Sequence, residues 1–125
     1  MKILIETIPH SAQRYPTVGD WQWKSSRKAV IRVSQLSDWR YEALVGLHEA
    51  IEAILCKHAG VTEQQVDEFD IAYEAKRQPN DVSEPGNDPS CPCYDQHQFA
   101  TWVELETATK LGVDWTAYEA EVNSL

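Results

Sequence analysis

No stretch of this chain approaches the ~20 consecutive apolar residues that a membrane-spanning helix requires, which excludes such a helix. Cysteine is scarce as well, with only Cys56, Cys91 and Cys93 present. The N-terminal MKILIETIPH has too short an apolar run and no small-residue cleavage site to serve as a secretory leader. An odd number of cysteines without a leader predicts free thiols in a reducing cytoplasm, not a disulfide framework. Positive charge is in short supply: 11 Lys and Arg stand against 20 Asp and Glu, for a net charge of −9. Such a surface repels phosphate backbones and anionic lipid, so generic nucleic-acid binding and membrane docking are excluded. A cation or a basic protein partner suits it better. Internal repeats and low-complexity tracts are also missing.

Large aromatics are plentiful. Five Trp and five Tyr in 125 residues, with 42% hydrophobic residues overall, supply enough buried area for one compact domain and exclude a disordered chain. Residues 2–7, 20–24 and 28–34 alternate or are β-branched and read as three strands of a small antiparallel sheet. Residues 8–19, with Pro9, Pro16 and Gly19, read as a loop. The pattern then turns helical. Ser37 or Asp38 caps a long helix that stops at Gly60. Thr62, with Gln65 three residues on, forms a capping box for a second helix running to about Lys76. A third covers about 94–111, and Asp114 caps a short fourth at about 115–123. The expected class is therefore α+β, a three-stranded sheet in residues 1–35 followed by about four helices in 36–125. Residues 77–93 hold most of the Pro and Asn and read as a mobile loop joining two helices.

The chemistry-bearing residues lie on these helices. On a helical wheel Leu44, Leu47, Ile51, Ile54 and Leu55 form one apolar arc, with His48 and Glu52 one turn apart at its margin. Side chains at i and i+4 meet over one spot, and a half-buried carboxylate beside an imidazole calls for a neutralising positive charge. A divalent cation supplies it. The third helix carries His97 and Glu104 two turns apart, sharing a face with the small Ala100 and Ala108. Asp70 flanks the arc of Val66, Phe69 and Tyr73 on the second helix. His48, Glu52, Asp70, His97 and Glu104 are thus the candidate metal ligands. Glu49, turned about a quarter of the wheel away, is the candidate general base. The imidazoles favour zinc among divalent ions.

Several other residues read as structural. His10 and His58 read as surface or packing histidines. Cys91-Pro92-Cys93 lacks the second knuckle of a structural zinc site and reads as a loop feature. Glu84-Pro85-Gly86 is a turn whose carboxylate either closes over a site or is simply solvated, composition favouring the latter. Trp21, Trp23, Trp39, Trp102 and Trp115 read as core residues.

His48-Glu49-x-x-Glu52, followed by Ala53-Ile54-Leu55, resembles the motif helix of the zincin metallopeptidases, His-Glu-x-x-His. A small sheet preceding the motif helix is also similar to a minimal zincin. That resemblance implies His48 as a ligand, Glu49 as the base and, by analogy, His97 as a further ligand. Glu52 stands where that family has its second histidine, a departure that bears directly on peptidase activity. In style the helical cluster is similar to small metal-dependent phosphohydrolases, the HD-domain and all-α nucleotide pyrophosphatase families, but the chain has no His-Asp doublet. As a whole, with IETIPHSAQRYPTVGDW, the HEAIE helix, Glu84-Pro85-Gly86 and His97-x-x-Ala100-x-x-x-Glu104, it resembles an uncharacterised family of small bacteriophage proteins, which implies no particular activity. The leading expectation is a zincin-like metal-dependent hydrolase. The alternatives are a non-enzymatic phage interaction or inhibitor protein, acting on a host or phage partner around a structural metal or polar core, and a nucleotide phosphohydrolase.

Overall fold

The computed structural model describes residues 1–125. Strands β1 (Lys2–Ile8), β2 (Gly19–Ser25) and β3 (Lys28–Ser34) precede helices α1 (Trp39–Ala59), α2 (Glu63–Ala75), α3 (Tyr94–Lys110) and α4 (Trp115–Asn123). The class is α+β, as the alternation and helical periodicity predict. None of the helices is long and apolar enough to cross a membrane.

The sheet is mixed, not antiparallel. Its order is β1-β3-β2. β2 and β3 form an antiparallel hairpin, while β1 pairs with β3 in parallel, Ile5 beside Ile31. Alternation reports which side chains share a face and is silent on which edge a strand takes. Here residues 9–18 step past the end of β3 and place β1 on its far edge. The fully buried Ser34 holds that crossing: its backbone N–H donates to Val18 O at 2.8 Å, and its hydroxyl meets His10 Nδ1 at 2.9 Å and Gln13 Nε2 at 3.1 Å.

The helix boundaries follow the local signals. The Asp38 carboxylate accepts from Arg40 N, Thr62 and Gln65 close a capping box, and Asp114 accepts from Ala117 N. Gly60 ends α1 at φ +77°, a left-handed conformation that costs glycine little.

α1 lies between the sheet and α3, and its buried face is wider than the apolar arc and rotated toward the sheet. Leu44, Val45, His48, Glu52, Ala53 and Cys56 are buried, whereas Ile54 is 39% exposed. His48 and Glu52 are therefore inside the interface, not at its margin. The reason is size: on the sheet side the helix needs small residues, Gly46 and Ala53, which a hydrophobicity wheel undercounts. The tryptophans divide. Trp21 is buried against Ile31 and Val33, while Trp39 and Trp102 are exposed and contribute little to the core. The three cysteines are free and buried.

Residues 76–93 are tied down at several points. The Arg77 guanidinium grips Glu74 and the carbonyls of Asp81 and Ser83, a short 3-10 turn spans Pro85–Asn87, and Gly86, Cys91 and Cys93 are buried.

Candidate metal centre

Three side chains from two helices converge at one point. α1 contributes His48 and Glu52 from successive turns, and α3 contributes His97. His48 Nε2 lies 3.1 Å from His97 Nδ1 and 3.4 Å from Glu52 Oε2, and His97 Nδ1 lies 3.0 Å from the same Glu52 oxygen. All three residues are buried, and as a group they could hold a metal ion. The spacing suits one. Four ligands at the usual 2.0–2.1 Å from a tetrahedral zinc are separated by about 3.3 Å.

Each converging atom is braced from behind. The far nitrogen of His48, Nδ1, lies 2.7 Å from Glu104 Oε2. The far nitrogen of His97, Nε2, lies 3.0 Å from Glu84 Oε2. Trp21 Nε1 donates to the outer oxygen of Glu52 at 3.2 Å. The Tyr118 hydroxyl, from α4, donates to the remaining oxygen of Glu104. A carboxylate on the far nitrogen of a histidine fixes its tautomer, leaves the near nitrogen with a free lone pair and raises its basicity, the arrangement typical of metal-binding histidines. Both histidines have it.

The electrostatics follow from the burial of so many charges. Burial opposes the charged form of His48, but hydrogen bonds to Glu104 and Glu52 outweigh it and raise its pKa well above the usual histidine value. The same contest, decided by Glu52 and Glu84, raises His97 to about 9. Burial would raise Glu52, yet the two imidazoles hold it down at about 2. Glu84 is lowered by its bond to His97. Protons are a poor way to meet this demand for positive charge. With both rings doubly protonated, two N–H groups would stand side by side 3.1 Å apart, competing for one Glu52 oxygen. One divalent cation at the same point meets the demand without that repulsion.

The centre opens on a cavity of about 150 Å³. Glu49 and Asp70 line it, outside the converging trio. The Glu49 side chain passes over Gly19 so closely that a Cβ there would lie 2.6 Å from its Cγ, so glycine is needed at that position. Burial and the charge of Glu52 push Glu49 up to about 8. Asp70 accepts from the Tyr15 hydroxyl at 3.3 Å and is raised to about 7, chiefly by burial and then by Glu52.

The five candidate ligands thus fall into three positions. His48, Glu52 and His97 converge. Glu104, two turns beyond His97 on α3, stands behind His48, where its carboxylate meets the outer ring nitrogen. Asp70 lines the same cavity without joining the trio, because α2, which carries it, packs on the sheet and on the 85–87 turn. Glu84, expected to be solvated, keeps its side chain 51% exposed while its Oε2 is drawn onto His97 by the turn that follows it. Gly86 makes this contact feasible, since a Cβ there would lie 2.3 Å from His97 Cγ. Trp21, read only as core, and Tyr118, not among the candidate site residues, complete the bracing. Their polar tips were the available signal, because a buried indole N–H or phenol needs a partner.

Comparison with protein-family models, with curated proteins and with solved structures found no match to this chain.

Proposed function

We propose that this protein is a metal-dependent hydrolase that holds one zinc ion on His48 Nε2, His97 Nδ1 and Glu52 Oε2. The observation that carries the reading is the paired bracing of the two imidazoles, which leaves three lone-pair donors at ligand spacing beside an open cavity. Structural zinc sites take four protein ligands, whereas catalytic ones take three and leave a position for water or substrate. A bound divalent ion would act as a Lewis acid that brings the pKa of water toward ~7. Glu49 is the general base: it lines the cavity beside the trio, and a bound cation would offset the burial and the Glu52 charge that otherwise push its carboxyl up to about 8, leaving a carboxylate able to accept a proton. The likeness of the HEAIE helix to that of the zincins agrees with these roles for His48 and Glu49, with Glu52 as an oxygen ligand in place of a histidine.

Elemental analysis of the purified protein before and after chelator is the direct test. About one zinc per chain is expected, removable and reloadable. Glu49→Gln should keep the zinc and abolish hydrolysis. A chain that carries no metal and takes none up would end this reading. It would leave a phage interaction protein with a polar core, a reading favoured by the exposed apolar stripe of Phe99, Trp102 and Leu105 along α3.

A further inference from the structure

The cavity beside the trio is lined by seven carboxylates and two imidazoles. Most of these acids are already engaged. Arg14 takes Asp20 at 2.7 Å and Asp67 at 3.0 Å. Glu84 and Glu104 sit on the outer nitrogens of the histidines, and Glu52 is shared between the trio and Trp21. Glu49 stands in the position of the base. Asp70 remains. Its only hydrogen bond is from the Tyr15 hydroxyl to Oδ2, and Oδ1 has no protein partner. No cationic side chain contacts it.

Asp70 also occupies a junction. A second cavity of about 300 Å³ adjoins the first, and Tyr15, Asp70, Glu84 and Pro85 line both. Asp70 thus stands where the outer cavity meets the one beside the trio. The one guanidinium in that outer wall, Arg77, is not free to receive an anion. It is held bidentately by Glu74 at 2.6 and 2.7 Å, and it donates to Asp81 O and Ser83 O at 2.6 and 2.8 Å. A substrate carboxylate or phosphate would therefore meet no available cation along this path except the metal itself. Around the trio the carboxyl groups of Glu49, Glu52, Asp70, Glu84 and Glu104 outnumber the two positive charges that one divalent ion would bring.

We propose that the substrate of this site carries a protonated amine, which is received by Asp70 at the junction of the two cavities while the scissile carbonyl faces the trio. This rests on the hydrolase reading above and names its substrate class: an amino-acid or peptide amide with a free amine, as opposed to a nucleotide or other phosphate ester. An ammonium placed there supplies the positive partner that Asp70 lacks, through a charge-assisted hydrogen bond. It adds specificity without needing any further cation from the protein.

The test uses the full chain, first assayed for zinc content and then titrated calorimetrically near pH 7.5. The probes are acetohydroxamate, which offers the metal a binding group alone, glycine and lysine hydroxamates, which add an amine, succinic monohydroxamate, which adds a carboxylate, and inorganic pyrophosphate. The amine-bearing hydroxamates should bind about tenfold or more tightly than acetohydroxamate, as expected for a charge-assisted contact worth ~1.4 kcal/mol. Succinic monohydroxamate should bind more weakly than acetohydroxamate, and pyrophosphate should not bind measurably. Asp70→Asn should bring the ratio of amine-bearing to plain hydroxamate affinities toward one. With zinc present, equal affinities for amine-bearing and plain probes, or tight pyrophosphate binding, would overturn the amine subsite while leaving the hydrolase reading standing. Pyrophosphate binding would also point to the nucleotide phosphohydrolase alternative. Absence of zinc binding would overturn both.

Discussion

His48 Nδ1 and Glu104 Oε2 are 2.7 Å apart, and both residues are buried between α1 and α3. The other oxygen of Glu104 accepts from Tyr118, the one buried residue of α4. A chain of contacts therefore runs from the last helix through α3 to the imidazole that faces the proposed metal. Removing the carboxylate frees the His48 ring to rotate and lowers its basicity. Glu104→Ala should weaken zinc binding by roughly 10- to 100-fold. Tyr118→Phe keeps the aromatic packing against Tyr41 and Trp115 and should show a smaller loss in the same direction. Competition against a chromophoric chelator measures both. Wild-type zinc affinity in Glu104→Ala would show that the contact does not position a ligand.

Without metal, stability should fall as the solution becomes alkaline. The folded-state pKa of His97 is raised from 6.5 to about 9, so its contribution is fully present below about 6.5 and is lost as pH rises through 9. His48 is raised in the same direction. Glu49 and Asp70, raised to about 8 and about 7, also hold protons more tightly when folded, and they too cost stability as they ionise. Glu52, lowered to about 2, has the opposite sign: its contribution is present above about 4.5 and is lost as pH falls through 2. Thermal melts in chelator should therefore show a decline that begins above about pH 4.5, through Glu49 and Asp70, and continues to pH 9 through the histidines. Zinc should reverse the trend, because ligation needs the imidazoles deprotonated at the metal-facing nitrogens, and should add about 4 kcal/mol at a thousandfold excess over its dissociation constant. A chelated protein that grows more stable across that range would contradict the assignment of the buried charges.

Gly86→Ala should damage the site from the outside. The added methyl would lie 2.3 Å from His97 Cγ, too close for either group to remain in place. Either the ring turns or the 85–87 turn lifts, and both break the Glu84–His97 contact. Overpacking of this kind costs about 1–3 kcal/mol. A lower melting temperature is expected in chelator, together with weakened zinc binding. Unchanged values for both would mean that the turn can move away from His97 freely.

The sequence by itself determined what depends on neighbours in the chain. Thr62 and Gln65 close their box three residues apart, Asp38 and Asp114 cap from the adjoining turn, and Gly60 ends a helix through its own backbone freedom. The spacing of His48 and Glu52 made them one pair, and that of His97 and Glu104 set both on one face of α3. The alternation in residues 20–24 and 28–34 likewise marked two strands. Only the tertiary structure decided which groups meet. The edge taken by β1 depends on Ser34 holding residues 9–18 across the end of β3. The rotation of α1, which moves His48 and Glu52 from margin to interior, depends on small residues facing the sheet. The separation of His97 from Glu104, one beside the trio and one behind His48, depends on how far α3 slides along α1. Glu84 and Trp21, distant in the chain from one another and from the helices they brace, join the site only because the 85–87 turn and the sheet pack against it. Periodicity and capping act within a few residues, whereas a metal centre is made by contacts between elements, and those are fixed by packing.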